Sequence, residues 1–209
     1  MFNPSLPELM AKLIILFVGF PIHEFSHAYV AYRLGDNTAQ QQGRLSLNPL
    51  RHLDPWGSIL LLVAGFGWAK PVPVSPYQLR YGPRVGGAMV SAAGPLSNLA
   101  LTVPAALAYR VAEEANLSPV LKDFLEYFVV INALLFVFNL IPLSPLDGFR
   151  VLAGIIGESA YRALAPLQAY GPVILMVLFA LGWISPRMDF LGRGIQAVTG
   201  AISSLLLGT

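Results

Sequence analysis

The sequence contains no cysteine and unusually little charge. The absence of cysteine excludes disulfide bonds, thiolate metal ligands and a cysteine nucleophile. Charged residues make up only 11% of the 209 residues and hydrophobic residues 56%, whereas a soluble domain is about 25% charged. So few charged side chains cannot cover an ordinary water-exposed surface. We therefore predict a membrane protein, and the formal net charge of +2 is too small to indicate a nucleic-acid partner.

Four segments are apolar over about the 20 residues that a membrane-spanning helix needs: residues 9–32, 86–109, 124–143 and 167–184. Residues 58–68 are apolar over half that length, which is typical of a re-entrant or broken helix. Residues 195–205 repeat apolar side chains at helical spacing, so that a short final span and an interfacial helix both remain open. The pattern predicts an all-α polytopic membrane protein with five to six transmembrane or re-entrant helices. We expect a single domain over residues 1–209, with the first apolar segment retained in the mature protein.

Residues 70–77 cannot continue a helix. Pro71, Pro73 and Pro76 lack a backbone N–H and push their predecessors towards extended conformations. Extended backbone at membrane depth is tolerated only where protein or a water-filled cavity satisfies its polar groups. Two possibilities follow, a small β-hairpin near the first span or a plain loop outside the bilayer.

Basic residues are concentrated between the first two predicted spans. That connection contains six of them against Asp36 and Asp54: Arg33, Arg44, Arg51, Lys70, Arg80 and Arg84. By the positive-inside rule, we expect this connection and the region after Leu143 to lie in the cytoplasm, with the amino terminus outside.

The first predicted span contains the pattern H-E-x-x-H, formed by His23, Glu24 and His27. On a helix, residues four apart share a face, so both imidazoles can bind one metal ion. Glu24 lies beside them, where it can accept a proton from a metal-bound water. The alternative is a pair of histidines bonded to neighbouring helices. Ionisable groups inside a span are costly and usually mark function, which favours the metal site.

Two histidines in a catalytic zinc site require a third protein ligand and one open position. Asp147 is the candidate, because Pro142 and Pro145 interrupt the apolar stretch before it and allow a carboxylate to turn inwards. An unpaired Asp at the bilayer centre costs about 2.5–3.5 kcal/mol, whereas zinc contributes roughly 10–16 kcal/mol in small peptide sites. Ligation would more than offset the cost. The alternative is an interfacial Asp147 paired with Arg150.

Three other polar residues have two interpretations each. Asn98 and Asn139 lie within apolar spans, where an amide most often bonds a neighbouring helix. Alternatively, an amide can hold substrate backbone or stabilise an oxyanion, and Asn139 is the stronger candidate for that role. His52 lies in a polar, turn-like stretch, and we expect it to be structural or interfacial rather than a metal ligand.

These motifs resemble those of the site-2 protease family of intramembrane zinc metalloproteases. The resemblance rests on three motifs: His23-Glu24-x-x-His27, Gly94-Pro-Leu-Ser-Asn98 and Asn139-x-x-Pro142-x-x-x-x-Asp147-Gly148. Residues 43–76 are similar to the corresponding region of compact bacterial members. No connection is long enough for the PDZ or CBS domain that many members carry.

The resemblance implies an endopeptidase with a catalytic zinc ion. The implied roles are zinc binding by His23, His27 and Asp147, general base catalysis by Glu24, and substrate positioning by Asn139. It also implies a bacterial inner-membrane protein, open to the cytoplasm, that cleaves transmembrane helices of other proteins. The lipid bilayer is an expected partner, and a homo-oligomer remains possible.

Two other functions fit the same residues. An inactive relative would bind zinc and partner helices as a membrane scaffold, although a scaffold has no use for the base Glu24. A metal transporter would line a passage with the same ligands, but transporters usually contain repeated halves and several intramembrane acids, and neither is evident in the sequence.

Overall fold

The computed structural model describes residues 6–64 and 67–208. Within these residues it contains ten α-helices and no β-strand. The helices are α1 (Leu6–Ile14), α2 (Phe20–Arg33), α3 (Thr38–Gln41), α4 (Pro55–Ala64), α5 (Gly87–Glu114), α6 (Pro119–Asn139), α7 (Asp147–Ile155), α8 (Glu158–Ala163), α9 (Ala165–Ile184) and α10 (Phe190–Leu207). The all-α prediction is confirmed.

In the described part of the chain, four helical stretches are long and apolar enough to cross a membrane: Leu9–Arg33, Gly82–Glu114, Pro166–Ile184 and Phe190–Leu207. The first three correspond to predicted spans. The fourth favours the alternative in which the last helix is a span. The half-length segment forms α4, only 10 residues long, as expected of a broken or re-entrant helix.

The remaining predicted span, residues 124–143, differs from α6. The helix begins earlier, at Pro119, and its first two turns carry Lys122, Asp123 and Glu126, so three charged side chains separate it from the four stretches above. It also ends at Asn139, four residues before the predicted boundary. Pro142 supplies the reason, because a residue that precedes proline is disfavoured in helical conformation.

The possible β-hairpin near the site is not formed within the described residues. Leu53 and Ala69 make one isolated antiparallel bridge, and the chain after Ala69 continues without a partner strand. Pro71 and Pro73 explain this outcome, since neither has the N–H that a ladder requires.

A π-helical turn, Ile15–Gly19, joins α1 to α2 just before Pro21. Proline lacks a backbone N–H, and its ring collides with the carbonyl of the preceding turn of an α-helix. A locally wider turn accommodates that ring without ending the helix. The chain therefore runs as one helical stretch into the H-E-x-x-H motif.

Helix α5 is the centre of the molecule and packs against α2, α6 and α7. One apolar cluster joins the end of α2 to α5 through Ala31, Leu34 and Val90. A second joins α5, α6 and α10 through buried Ala106, Val129 and Leu207. In contrast, only 6% of the span in α9 is buried, so this helix lies at the edge of the bundle.

Candidate metal centre

The structure brings together three side chains from two motifs that are 120 residues apart in the sequence. His23 and His27 lie one turn apart on α2, and Asp147 is the first residue of α7. The Oδ2 atom of Asp147 lies 3.0 Å from Nε2 of His23 and 3.1 Å from Nε2 of His27. One potential ligand atom from each residue lies within 4.8 Å of the others. Three donors this close together could bind a single ion.

The second nitrogen of each imidazole contacts an acceptor. Nδ1 of His23 lies 2.8 Å from Oδ1 of Asn98, and Nδ1 of His27 lies 2.7 Å from the carbonyl oxygen of Val90. Both acceptors belong to α5, and both histidines are buried. In metalloproteins, a ligating histidine usually donates its other N–H in this way. The arrangement therefore directs both Nε2 atoms towards Asp147.

Gly94 provides the space beside these nitrogens. A Cβ atom at this position would lie 2.4 Å from Nε2 of His27 and 2.6 Å from Nε2 of His23. A side chain here would occupy the volume in which an ion must bind. The space needed beside the two Nε2 atoms therefore explains why residue 94 is a glycine.

The donor set fits zinc. Two imidazole nitrogens and one carboxylate oxygen are ligands that zinc accepts, and a catalytic zinc site keeps its fourth position open. The Asp147 side chain is 18% exposed, so the group is not completely enclosed. Asp147 also contacts the histidines instead of forming the surface pair with Arg150 that we considered as an alternative.

The position of Asp147 depends on the glycine that follows it. A Cβ atom on Gly148 would lie 2.2 Å from the carbonyl oxygen of Leu140 and 2.4 Å from that of Ile141. The start of α7 therefore packs directly on the backbone at the end of α6. Because no side chain intervenes, Asp147 can reach α2.

Glu24 accepts a hydrogen bond from the backbone of the proline-rich segment. The N–H of Val72 lies 3.0 Å from Oε2 of Glu24, and the side chain of Glu24 is half-buried. The adjacent Arg44 is buried and donates to the carbonyl oxygen of Lys70. The segment that contains Val72 thus contacts the candidate base directly.

Both ends of this segment are anchored. At one end, the N–H of Lys70 donates to the carbonyl oxygen of His52 at 2.7 Å. At the other, the N–H of Ser75 donates to Oδ2 of Asp36 at 2.6 Å, and Asp36 is completely buried. Residues 70–75 are therefore held beside α2 although they form no regular secondary structure.

His52 has the structural role that we expected. Its Nε2 donates to the carbonyl oxygen of Ser46 at 2.6 Å, and the residue is completely buried. Burial lowers the pKa of His52 below its ordinary value, because the apolar surroundings disfavour the charged form. It does not belong to the group of possible ligands found in the described residues.

The two asparagines have different surroundings. Asn98 bonds His23 and the neighbouring helices, which is the interpretation that we considered more common. Asn139 donates to the carbonyl oxygen of Leu135 within its own helix, at 3.0 Å. Its role with substrate remains a prediction.

Sequence reasoning missed two residues and one contact around the site. Asn132 accepts from Asn98, Arg44 donates to the carbonyl oxygen of Lys70, and the N–H of Val72 donates to Glu24. For Asn132, a polar residue inside an apolar helix was an available signal. For Val72 there was none, because its contact is made by backbone and depends on how distant segments pack.

Comparison with known proteins supplies an independent line of information. The family model described as "Peptidase family M50" matches residues 109–183, a range that includes Asn139 and Asp147. A protein of Bacillus subtilis named "Putative zinc metalloprotease YwhC" is 45% identical over 179 residues, covering 82% of this chain and 81% of the relative. No solved structure matches the chain.

Two longer relatives are also similar. The proteins named Rip2 of Mycolicibacterium smegmatis and Mycobacterium tuberculosis, described as zinc metalloproteases in their names, are each 32% identical to this chain. The matches cover 80% and 78% of this chain, but only 64% and 63% of the relatives. The chain therefore spans slightly less than two thirds of their length.

Proposed function

The chain belongs to peptidase family M50, and we propose that it is a zinc-dependent intramembrane endopeptidase of the site-2 type. The observation that carries the proposal is the convergence of His23, His27 and Asp147 around one point beside Glu24. The described residues include four helical stretches suited to crossing a membrane, and both histidines lie in the first of them. We propose that its substrates are transmembrane helices of other membrane proteins, cleaved within or near the bilayer.

In this proposal, His23, His27 and Asp147 hold the zinc ion. When bound, zinc supplies a Lewis acid that polarises a peptide carbonyl and acidifies water. Glu24 follows His23 on α2, and its carboxylate accepts the proton of the attacking water. The same carboxylate returns that proton to the leaving amine, as a general acid. Asn139 is proposed to position the substrate backbone.

A substrate helix must unwind before it can be cleaved, because its helical hydrogen bonds enclose the peptide groups. We propose that the unwound chain adds as a strand along Val72–Val74. The anchors at Lys70 and Ser75 hold this segment beside Glu24. If a substrate carbonyl accepted the hydrogen bond from the N–H of Val72, the Glu24 carboxylate would lose that bond and could act as the base.

The first experiment measures zinc per chain and cleavage in three purified proteins: wild type, Asp147→Ala and Glu24→Gln. The cleavage reporter is a tagged single-span protein with helix-breaking residues in its span. We expect about one zinc per chain in the wild type, a sharp loss in Asp147→Ala, and retained zinc without cleavage in Glu24→Gln. Wild type free of zinc after preparation without chelators would overturn the proposal. If the wild type binds zinc but cleaves the reporter no more than Glu24→Gln does, the membrane scaffold is favoured instead.

A further inference from the structure

A buried chain of amide hydrogen bonds extends from the candidate metal ligand His23 to α6. We infer that Asn132 acts through Asn98 as a positioning residue, holding His23 in the tautomer that leaves Nε2 free to bind a metal. This inference rests on the zinc site of the proposed function, and it assigns a role to a residue that lies outside all the motifs discussed above.

The three residues come from three packed helices. His23 belongs to α2, Asn98 to α5 and Asn132 to α6. Both asparagines are completely buried. Gly19 permits their close approach, since a Cβ atom there would lie 2.7 Å from Cδ1 of Leu135 on α6.

Two backbone carbonyls determine which way each amide points. Nδ2 of Asn132 lies 2.9 Å from the carbonyl oxygen of Phe128, and Nδ2 of Asn98 lies 3.3 Å from that of Gly19. A carbonyl oxygen can only accept, so each of these contacts must be made by an amide N–H. The Phe128 carbonyl therefore excludes the flipped orientation of Asn132, whereas the longer contact with Gly19 holds Asn98 only together with the Oδ1 atom of Asn132.

The orientation of the Asn132 amide then determines that of Asn98, and Asn98 determines which nitrogen of His23 is protonated. With its nitrogen on Phe128, Asn132 presents Oδ1 to Nδ2 of Asn98 at 3.1 Å. Asn98 uses Nδ2 for that contact and for Gly19, so its Oδ1 faces Nδ1 of His23 at 2.8 Å. An amide oxygen cannot donate, and therefore Nδ1 of His23 carries a proton.

The proton on Nδ1 determines which nitrogen of His23 has a lone pair available to bind a metal. In a neutral imidazole with Nδ1 protonated, Nε2 has the free lone pair. Nε2 of His23 is the atom that faces Asp147. If Asn132 could not accept from Asn98, the Asn98 amide could rotate and present N–H to Nδ1, which would favour the tautomer that cannot bind through Nε2.

The test compares Asn132→Leu, which removes the acceptor, with Asn132→Asp. A protonated aspartic acid can still accept from Asn98 and donate to Phe128, so this variant is the conservative rescue. Thr102→Val is the matched control for removing a buried polar group: Thr102 is completely buried on α5 and bonds only locally, to the carbonyl oxygen of Leu99 at 2.6 Å. Folding is checked by thermal unfolding of each metal-free protein.

Two measurements are made on each protein: zinc affinity by chelator competition, and the nitrogen-15 shifts of labelled histidine, which are tractable with 3 histidines per chain. We expect zinc affinity to fall roughly 10- to 100-fold in Asn132→Leu, the range for residues that orient a ligand, and to stay near wild type in Asn132→Asp and Thr102→Val. A population of His23 with unprotonated Nδ1 should appear only in Asn132→Leu.

The inference fails if Asn132→Leu binds zinc as wild type does, or if Nδ1 of His23 in wild type lacks a proton. It also fails if Thr102→Val weakens zinc binding as much as Asn132→Leu, which would indicate a general packing effect. The proposed function fails differently, through a wild type that binds no zinc. The histidine spectrum of the metal-free protein still decides the role of Asn132 in that case.

Discussion

Gly94 shows how much of the site depends on the absence of a side chain. It belongs to α5, which also supplies acceptors to both histidines. The space that a Cβ would occupy lies against both Nε2 atoms. Those atoms belong to buried rings bonded to α5, so they cannot move aside without losing their other hydrogen bonds. Gly94 is therefore a residue whose function is steric rather than chemical.

We predict that Gly94→Ala folds but retains little or no zinc, because the methyl group fills the position of the ion. Zinc per chain, measured after dialysis without chelator, tests this directly. The control is Gly87→Ala on the same helix, where an added Cβ meets nothing within 4 Å. Full zinc occupancy in Gly94→Ala would show that the ion does not bind between the three side chains.

At the scale of elements, the irregular segment of residues 70–75 is held by three backbone hydrogen bonds. Its N–H groups donate to His52 at one end, Glu24 in the middle and Asp36 at the other end. Pro71 and Pro73 have no N–H, so the backbone N–H groups between the two anchors are those of Val72 and Val74. A substrate strand can therefore find donors at only these two residues of the segment.

We predict that Val74→Pro lowers kcat/KM for the single-span reporter roughly 2- to 12-fold, the equivalent of one net hydrogen bond of about 0.5–1.5 kcal/mol. Zinc content should be unchanged, because Val74 contacts none of the three proposed ligands. Val74→Ala is the control, since it also reduces packing against the cluster of Ala31, Leu34, Leu79 and Val90 but keeps the N–H. Equal cleavage by the two variants would exclude strand addition at Val74.

At the scale of the whole molecule, the basic connection between the first two spans contacts the candidate site. Val72, which belongs to that connection with Arg44 and Lys70, donates to Glu24. Positively charged loops are retained in the cytoplasm. We therefore propose that the site opens to the cytoplasmic side, with residues 115–118 on the opposite face.

The absence of cysteine makes this orientation testable, because an introduced thiol is the only one in the chain. Gln42 and Ser118 are both exposed, in connections at opposite ends of α5. We predict that a membrane-impermeant maleimide labels Ser118→Cys in intact cells, but labels Gln42→Cys only after permeabilisation. The reverse pattern would place the site on the outer side of the membrane.

Composition and short-range patterns were enough to predict the class of fold and the proposed ligands. Low charge and long apolar segments require a bilayer, and the four-residue spacing of His23 and His27 places both rings on one helical face whatever surrounds it. Asp147 could be nominated because few carboxylates lie near apolar segments. These inferences use local periodicity or composition, and both are properties of the chain before it folds.

The surroundings of those residues became known from the packing of the helices. The acceptor for His23 is 75 residues away, the donor to Glu24 is 48 residues away, and Gly94 matters only because α5 lies against α2. Such contacts arise from the relative positions of helices, which no short-range pattern encodes.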